Sequence, residues 1–183
     1  MAIPRLIPDT TALLVVDLQE KLLPIIDGAG EVEARAGLLV DGFNALGLAV
    51  LATEQYPAGL GSTVASIADR LGDRVARHEK LRFSASIEPI HDDLRRVGAR
   101  SVVVCGIESH VCVLQTALDL ADAGYIVAAA EDACGSRRRG DHDAALRRLT
   151  QSGVLMTTAE SAIMELVGAA GTARFKAVLP LIK

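Results

Sequence analysis

Apolar residues along the chain follow two patterns that alternate. Short continuous runs such as Thr11–Val16 (TALLVV) and Leu48–Thr53 (LAVLAT) are typical of strands buried on both faces of a parallel sheet. Apolar residues at helical spacing follow in Val32–Leu46 and recur later in the chain. Alternating strands and helices favour parallel pairing through right-handed crossovers. The pattern therefore predicts an α/β fold with helices on both faces of one sheet.

The other elements are less clearly marked. Loops are expected at Glu54–Ser62 and Glu131–Gly140, where proline, glycine or charge interrupts the apolar pattern. Further strands are predicted at Arg74–His78, Tyr125–Ala130 and Val154–Met156, and further helices at Val64–Leu71, Ile90–Val97, Asp141–Thr150, Ala173–Leu179 and from Thr158 onwards. Neither repeats nor linkers interrupt the series, so residues 1–183 are expected to form one domain.

The stretch Ser101–Gly124 carries the most informative cysteine. It opens with the apolar run Val102–Cys105, which predicts a buried strand that ends at Gly106. After a tight connection, apolar residues recur at helical spacing until Gly124 stops the helix. Cys112 therefore falls in the first turn of a helix that directly follows a strand.

That position has a chemical consequence for Cys112. The thiolate is the reactive form of cysteine, and a helix N-terminus stabilises an anion through its unpaired N–H groups and positive dipole end. The pattern therefore predicts a lowered thiol pKa, with N–H groups available to a developing oxyanion. Free cysteines are also often inert, buried, small apolar residues. Both interpretations stay open on this stretch alone.

Two charged residues are expected near Cys112. Asp17 ends the first strand, and Lys80 follows the strand predicted at Arg74–His78. The carboxyl ends of parallel strands share one rim, which is where such sheets bind ligands. There Lys80 would favour the thiolate, and Asp17 would accept the thiol proton and pass it to a leaving amine. This combination predicts covalent catalysis on a carbonyl carbon through a thioester.

Composition disfavours several classes of partner. The chain has 183 residues, a net charge of −4 and a pI of about 5.6, whereas nucleic-acid surfaces need clustered positive charge. The basic cluster Arg137–Arg139 is followed by acidic residues and is interpreted as a solvent-facing loop. Apolar runs stay well short of the ~20 residues that a membrane span needs, so no membrane partner is expected.

Cysteine, histidine and glycine positions bear on location and cofactors. Three cysteines, and an N-terminus without the basic and apolar regions of a secretory leader, favour a cytoplasmic location. The four histidines are scattered, so neither a metal site nor a metal cofactor is expected. The first strand is followed by DLQEKL rather than a G-x-G-x-x-G motif, which disfavours a nucleotide cofactor.

Several motifs together resemble the cysteine hydrolases of the isochorismatase-like superfamily, and most of all the isochorismatase domain-containing proteins. The resemblance covers nearly the whole chain. It implies a three-layer α/β/α, Rossmann-like fold with a six-stranded parallel sheet in the order 3-2-1-4-5-6. The matching motifs are LLVVDLQEKLLP (Leu13–Pro24), TEQYPAGLGST (Thr53–Thr63), EKLRFSA (Glu79–Ala85), CGIESHVCVLQTALDL (Cys105–Leu120), DACGSR (Asp132–Arg137) and the tail from Phe175-Lys176.

The resemblance also implies roles for individual residues. Asp17, Lys80 and Cys112 match the catalytic triad of the superfamily. The bond Ile107–Glu108 matches a cis peptide bond that is not followed by proline. The N–H groups of Glu108 and Cys112 match the oxyanion hole. The positions implied for the substrate pocket, the first of them a residue that supports the triad, are Gln19, Leu22, Tyr56 and Phe83.

Two departures from related enzymes narrow the implied activity. Nicotinamidases carry an aspartate and two histidines as metal ligands after the second strand, whereas this chain has TEQYPAGLGS there. True isochorismatases lack the nucleophilic cysteine, which is present here as Cys112. The resemblance therefore implies a metal-independent cysteine hydrolase that acts on a small amide, carbamoyl or similar carbonyl compound.

Two other functions stay open at this point. The chain could be a non-enzymatic or regulatory binding module that keeps the hydrolase fold, although such a module would not need all three triad residues. It could also be a thiol-based redox protein, although Cys105 is expected to point into the core and is a poor resolving partner. A homo-oligomer is expected from the resemblance, with the apolar tail Val178–Lys183 packed on another subunit or on its own core.

Overall fold

The computed structural model describes residues 3–183 and has a six-stranded parallel sheet at its centre. The strand order is β3-β2-β1-β4-β5-β6, so the predicted three-layer α/β/α fold and its strand order are confirmed. Successive strands are added toward one edge from β1 to β3 and toward the other edge from β4 to β6, so the order of addition switches between β1 and β4, which pair in parallel from Thr11↔Ser101 to Val16↔Gly106. The strands are β1 (Thr11–Val16), β2 (Val50–Gln55), β3 (Arg77–Lys80), β4 (Ser101–Ile107), β5 (Ile126–Gly135) and β6 (Leu155–Thr157).

Helices cover both faces of the sheet. They are α1 (Ala29–Ala45), α2 (Pro57–Leu60), α3 (Ala65–Leu71), α4 (Glu88–Arg96), α5 (Leu114–Asp122), α6 (Arg139–Gln151), α7 (Ala159–Val167) and α8 (Ala173–Val178). Helices α1, α3, α7 and α8 build one core and α4, α5 and α6 the other. Within β1, Leu13 and Val15 enter the first core and Leu14 and Val16 the second, as the two-residue period of a strand requires.

Glycine has a different role in β4 from the one predicted. Gly106 does not end the strand, which continues to Ile107. Gly106 has φ +125°, and a Cβ there would lie 2.0 Å from the carbonyl oxygen of Val16. The missing side chain therefore lets β4 continue in close contact with β1.

Other element boundaries also differ from the predictions. Strand β3 begins three residues later and ends two residues later than predicted, at Arg77–Lys80, so that Lys80 is its last residue. Strand β5 runs on to Gly135 through much of the predicted loop, with a bulge against β4. Helix α6 begins at Arg139, so Asp141 lies in its first turn and does not cap it. Thr158 does cap α7, since its side chain accepts a hydrogen bond from the Ser161 N–H.

The apolar tail packs on its own chain. Val178 is fully buried in the core that α1 and α7 build, and the turn Leu179–Leu181 lies against α1. Of the two interpretations of the tail, packing on its own core is therefore observed for Val178. In residues 3–183 no helix combines the length and the apolar character that crossing a membrane requires.

Candidate active site

Three of the predicted residues meet at the carboxyl rim of the sheet. Asp17 directly follows β1, Lys80 ends β3, and Cys112 lies in a π-helical turn, Ser109–Val113, between β4 and α5. The Lys80 side chain reaches Asp17, with Nζ 2.7 Å from Oδ2. Both of these side chains are fully buried, and Cys112 is 4% exposed. All three residues of this group are therefore buried at the rim.

Asp17 is held by the turn that ends β1. Its backbone has φ +55°, in the left-handed region that aspartate tolerates better than most residues. The Thr53 hydroxyl donates to Oδ1 at 2.8 Å, and Lys80 donates to Oδ2. Burial raises the pKa of Asp17, and the positive charge of Lys80 opposes that effect. The carboxylate is therefore both fixed in place and a better proton acceptor than an exposed aspartate.

Lys80 uses its N–H donors inside the protein. Besides Asp17, Nζ donates to Gln55 Oε1 and to the Phe83 carbonyl oxygen, each at 2.8 Å. An ammonium group has three N–H donors, so these contacts match its capacity. Lys80 therefore acts on the site as a fixed positive charge beside Asp17.

Gln55 was not singled out by the sequence, because it lies in a segment predicted as loop. It is the last residue of β2, and its Nε2 donates to the Leu81 carbonyl oxygen at 2.8 Å. Its backbone accepts from and donates to the Gln19 amide, at 3.0 and 2.7 Å. A polar residue that follows an apolar strand, as Asp17 follows β1, was the signal that could have identified it.

Gln19 lies in the core as a supporting residue rather than on the wall of an open pocket. Its side chain is fully buried, and Nε2 also donates to the Gly61 carbonyl oxygen at 2.6 Å. Gln19 therefore joins the segment after β1 to the loop after β2, and it supports Gln55 from below rather than lining an open space.

The environment of Cys112 corrects its predicted pKa. Burial and the neighbouring Asp17 carboxylate raise the pKa of the thiol to about 12, outweighing the lowering by Lys80. The sulfur lies close enough to the Asp17 carboxylate and to the Glu108 N–H for both to influence its pKa. The prediction of a stabilised thiolate is therefore wrong for the resting protein. The sulfur instead carries its proton next to a base.

The segment before Cys112 is fixed by contacts with residues beyond β5. The peptide bond Ile107–Glu108 is cis, at the position that the resemblance implied. Glu108 Oε1 accepts from Arg137 Nε at 2.8 Å, so this arginine is more than a solvated charge. Two serine–histidine pairs at 2.9 Å, Ser109 with His142 and His110 with Ser136, complete the set.

The remaining predicted pocket residues lie on the same rim. Leu22 follows β1 and is half-buried, whereas Tyr56 and Phe83 follow β2 and β3 and are each 52% exposed. These side chains are apolar or aromatic and stand close in sequence to Asp17, Gln55 and Lys80. Within residues 3–183, no three His, Cys, Asp or Glu side chains come together in a way that could hold a metal ion.

Comparisons with known proteins agree with this fold. Isochorismatase domain-containing protein 1 of Salmo salar is 38% identical over 180 residues, which are 98% of this chain. The chain spans 63% of the length of that relative. The MAR1 ribonuclease structure from Caenorhabditis elegans has a TM-score of 0.94 at 38% identity, over 98% of this chain and 92% of that one.

A more distant structure shares the fold alone. The octameric hydrolase YcaC of unknown specificity from Escherichia coli has a TM-score of 0.85 at 21% identity, over 92% of this chain and 85% of that one. A family model described as "Isochorismatase domain" matches residues 11–161. The chain therefore belongs to the isochorismatase domain family, whose members are generally hydrolases.

Proposed function

We propose that this protein is a metal-independent cysteine hydrolase that cleaves the C–N bond of a small amide or carbamoyl compound. The observation that carries the proposal is the buried Lys80–Asp17 ion pair, 2.7 Å long, next to the Cys112 thiol, whose pKa the Asp17 carboxylate raises. A carboxylate fixed between an ammonium group and a thiol is suited to move the thiol proton.

In the first half of the proposed reaction, Asp17 takes the proton of Cys112 while Sγ attacks the carbonyl carbon. The N–H groups of Glu108 and Cys112 are the proposed donors to the oxyanion. The C–N bond then breaks, and the proton on Asp17 passes to the leaving nitrogen. Ammonia or an amine departs, and a thioester on Cys112 remains.

In the second half, a water molecule gives a proton to Asp17 and attacks the thioester carbon. The C–S bond breaks, the acid product leaves, and the proton returns from Asp17 to the sulfur. Lys80 has its donors filled within the protein, so it acts by stabilising the ionised form of Asp17 rather than by holding the substrate. A raised Asp17 pKa brings the base nearer to the working pH.

A panel of small amides and carbamates, assayed for released ammonia or amine, tests the proposal. Cys112→Ala should lower turnover by about a thousandfold or more. Cys105→Ala is the matched control, because Cys105 is buried in the core on the other face of the sheet. Mass spectrometry of the quenched enzyme should find the acyl group on Cys112. Turnover that survives in Cys112→Ala would rule out the cysteine mechanism.

The same variants also test two other functions, RNA cleavage and binding without turnover. The name ribonuclease is that of the Caenorhabditis elegans protein. In this chain, a net charge of −4 and a buried thiol favour a small carbonyl compound over RNA as the substrate. RNA cleavage that needs Cys112 would therefore overturn the amide proposal. A binding module would hold a carbonyl compound equally well in Cys112→Ala and turn over none of the panel.

The proposal extends to the domain organisation, location and assembly of the protein. We propose a single hydrolase domain over residues 1–183, cytoplasmic and homo-oligomeric. Apolar side chains exposed on the active-site rim support self-association, among them Ile25, Tyr56, Leu81 and Phe83. Light scattering of the purified chain should give a mass above that of the 19.2 kDa monomer.

A further inference from the structure

Arg137 forms an ion pair beside the proposed nucleophile, and the reaction proposed above does not use it. Its Nε donates to Glu108 Oε1 at 2.8 Å, and its backbone N–H donates to the same oxygen at 3.3 Å. The two side chains differ in exposure, which is 9% for Glu108 and 55% for Arg137. A carboxylate that is almost fully buried needs its cation, because an unpaired buried charge is costly. Arg137 therefore determines where the Glu108 side chain can lie.

Glu108 also carries one of the proposed oxyanion donors. Its N–H lies close enough to the Cys112 sulfur to lower the pKa of the thiol. Its carbonyl oxygen accepts the N–H groups of Val111 and Val113, at 3.0 and 3.1 Å. Among residues 3–183, its carboxylate accepts hydrogen bonds from Arg137 and from no other residue. The following turn thus holds the carbonyl of Glu108, and Arg137 holds its side chain.

The two residues after Glu108 are bonded to the same part of the chain. Ser109 pairs with His142 and His110 pairs with Ser136, each at 2.9 Å. Three successive side chains of the segment before Cys112 therefore contact residues 136–142, which follow β5. Of these three contacts, the ion pair is the one made by the residue whose N–H lies near the sulfur. It is also the contact in which a buried charge depends on its partner.

We propose that Arg137 is a positioning residue, which aims the Glu108 N–H at the oxyanion by holding the Glu108 carboxylate. This inference rests on the proposed hydrolase function and adds a residue to it. A donor that already points to the place where negative charge develops stabilises the transition state without reorganisation. Without Arg137, the carboxylate would turn toward water, and the N–H of the same residue would lose its alignment. Arg137 acts through Glu108 and needs no contact with the substrate.

Hydrolysis of an amide from the panel gives the first readout. In Arg137→Met, kcat should fall about 10- to 100-fold while KM stays within about threefold, because the donor acts on the transition state rather than on the bound substrate. Arg137→Lys should keep kcat within about fivefold of the wild type, since the side-chain contact is a single N–H that an ammonium group can also supply. The matched control is Arg138→Met, an exposed neighbour without an ion pair in residues 3–183, which should leave both constants unchanged.

The pKa of the Cys112 thiol gives a second readout that needs no substrate. Ultraviolet absorbance of the thiolate after a rapid rise in pH measures it, with Cys112→Ala as the blank. The charged side chains that act directly on this thiol are Asp17 and Lys80. Arg137→Met and Glu108→Ala should both raise the pKa by roughly half a unit, because each misplaces the N–H near the sulfur. Direct charge effects alone would raise the pKa in the first variant and lower it in the second.

The double variant Arg137→Met/Glu108→Ala should be no worse than the poorer single variant, because the two residues act as a unit. The positioning role is overturned by pKa shifts of opposite sign, by additive losses in the double variant, or by a change confined to KM. An equal loss in Arg138→Met, or an Arg137→Lys variant as slow as Arg137→Met, would overturn it too. Each of these results leaves turnover through Cys112 intact. If the panel shows no turnover, the hydrolase proposal fails, and the thiol pKa still decides whether Arg137 holds the Glu108 N–H.

Discussion

The rim around Cys112 contains two regions of opposite character. Next to the thiol, Asp17, Lys80 and Gln55 are buried, and Lys80 donates to Asp17 at 2.7 Å and to Gln55 at 2.8 Å. Around it, Tyr56 and Phe83 are each 52% exposed. The buried region fixes the position of each group through several partners, whereas the fold does not need the exposed rings. We therefore expect the first region to set the chemistry and stability, and the second to set substrate choice.

The largest loss is expected when the buried ion pair is broken. Lys80→Met keeps most of the side-chain volume but leaves Asp17 buried without its cation. Unpaired buried charges of this kind cost about 3–5 kcal/mol of the free energy of unfolding. Urea unfolding measures the change, and the exposed Lys176→Met in α8 is the control with the same chemical change. A loss below about 1 kcal/mol would mean that the pair is not buried in solution.

A smaller loss of stability is expected when Gln55, the second acceptor of Lys80, is replaced. Gln55→Leu removes the oxygen that accepts from Nζ and the donor to Leu81. Loss of a hydrogen bond to a charged group predicts a decrease of about 1.5–3 kcal/mol in the free energy of unfolding. Gln151→Leu, at the exposed end of α6, is the matched control and should change stability little. Turnover should fall in Gln55→Leu and stay unchanged in Gln151→Leu.

The pH dependence of Cys112 alkylation distinguishes a stabilised thiolate from a protonated thiol next to a base. Since burial and Asp17 raise its pKa to about 12, alkylation by iodoacetamide should keep accelerating above pH 9 rather than level off. Lys80→Met should move the profile to higher pH, because a stabilising positive charge is lost. Asp17→Asn should move it to lower pH, because a negative charge is lost. A plateau below pH 8 in the wild type would contradict this assignment.

The raised pKa of Cys112 also makes the free energy of unfolding depend on pH. The thiol ionises near its ordinary value of 9.0 in the unfolded chain and near 12 in the folded one. The contribution of Cys112 to stability is therefore complete below pH 9 and is lost as the pH rises from 9 towards 12. Cys112→Ala should reduce the loss of stability over that range, as urea unfolding at several pH values would measure.

Local patterns were sufficient for the α/β class and for the convergence of the triad, whereas the strand order came from the family resemblance. The apolar runs of β1 and β4 identify buried central strands, and the residues at the ends of parallel strands must share a rim. Strand β3 was misplaced because it lies at the sheet edge, where RHEK has no apolar run to mark it. Gly106 was misread because its contact with Val16 comes from the tertiary packing of two strands.

The pKa of the Cys112 thiol could be assigned only from the three-dimensional structure. A cysteine after a strand suggested a stabilised thiolate, but its pKa depends on burial and on the distance to Asp17, which lies 95 positions earlier in the chain. Gln55 was missed for a similar reason, because its partners Lys80 and Gln19 belong to distant segments. The sequence predicts that an aspartate, a lysine and a cysteine lie at the rim. Whether the cysteine carries its proton depends on how the folded chain packs around it.

The smallest effect on stability is expected at Phe83, which takes part in both regions. Its carbonyl oxygen accepts from Lys80 at 2.8 Å, while its ring is exposed. Phe83→Ala removes the ring and keeps the carbonyl, so the free energy of unfolding should change by about 0.5 kcal/mol or less. If the ring contacts substrate, kcat/KM should fall by about 10- to 100-fold for the larger amides and less for the smallest. The exposed Ile3→Ala, near the N-terminus, controls for loss of an exposed apolar side chain. A uniform fall in kcat for all substrates would instead place Phe83 in the support of Lys80, and the division between the two regions would then be wrong.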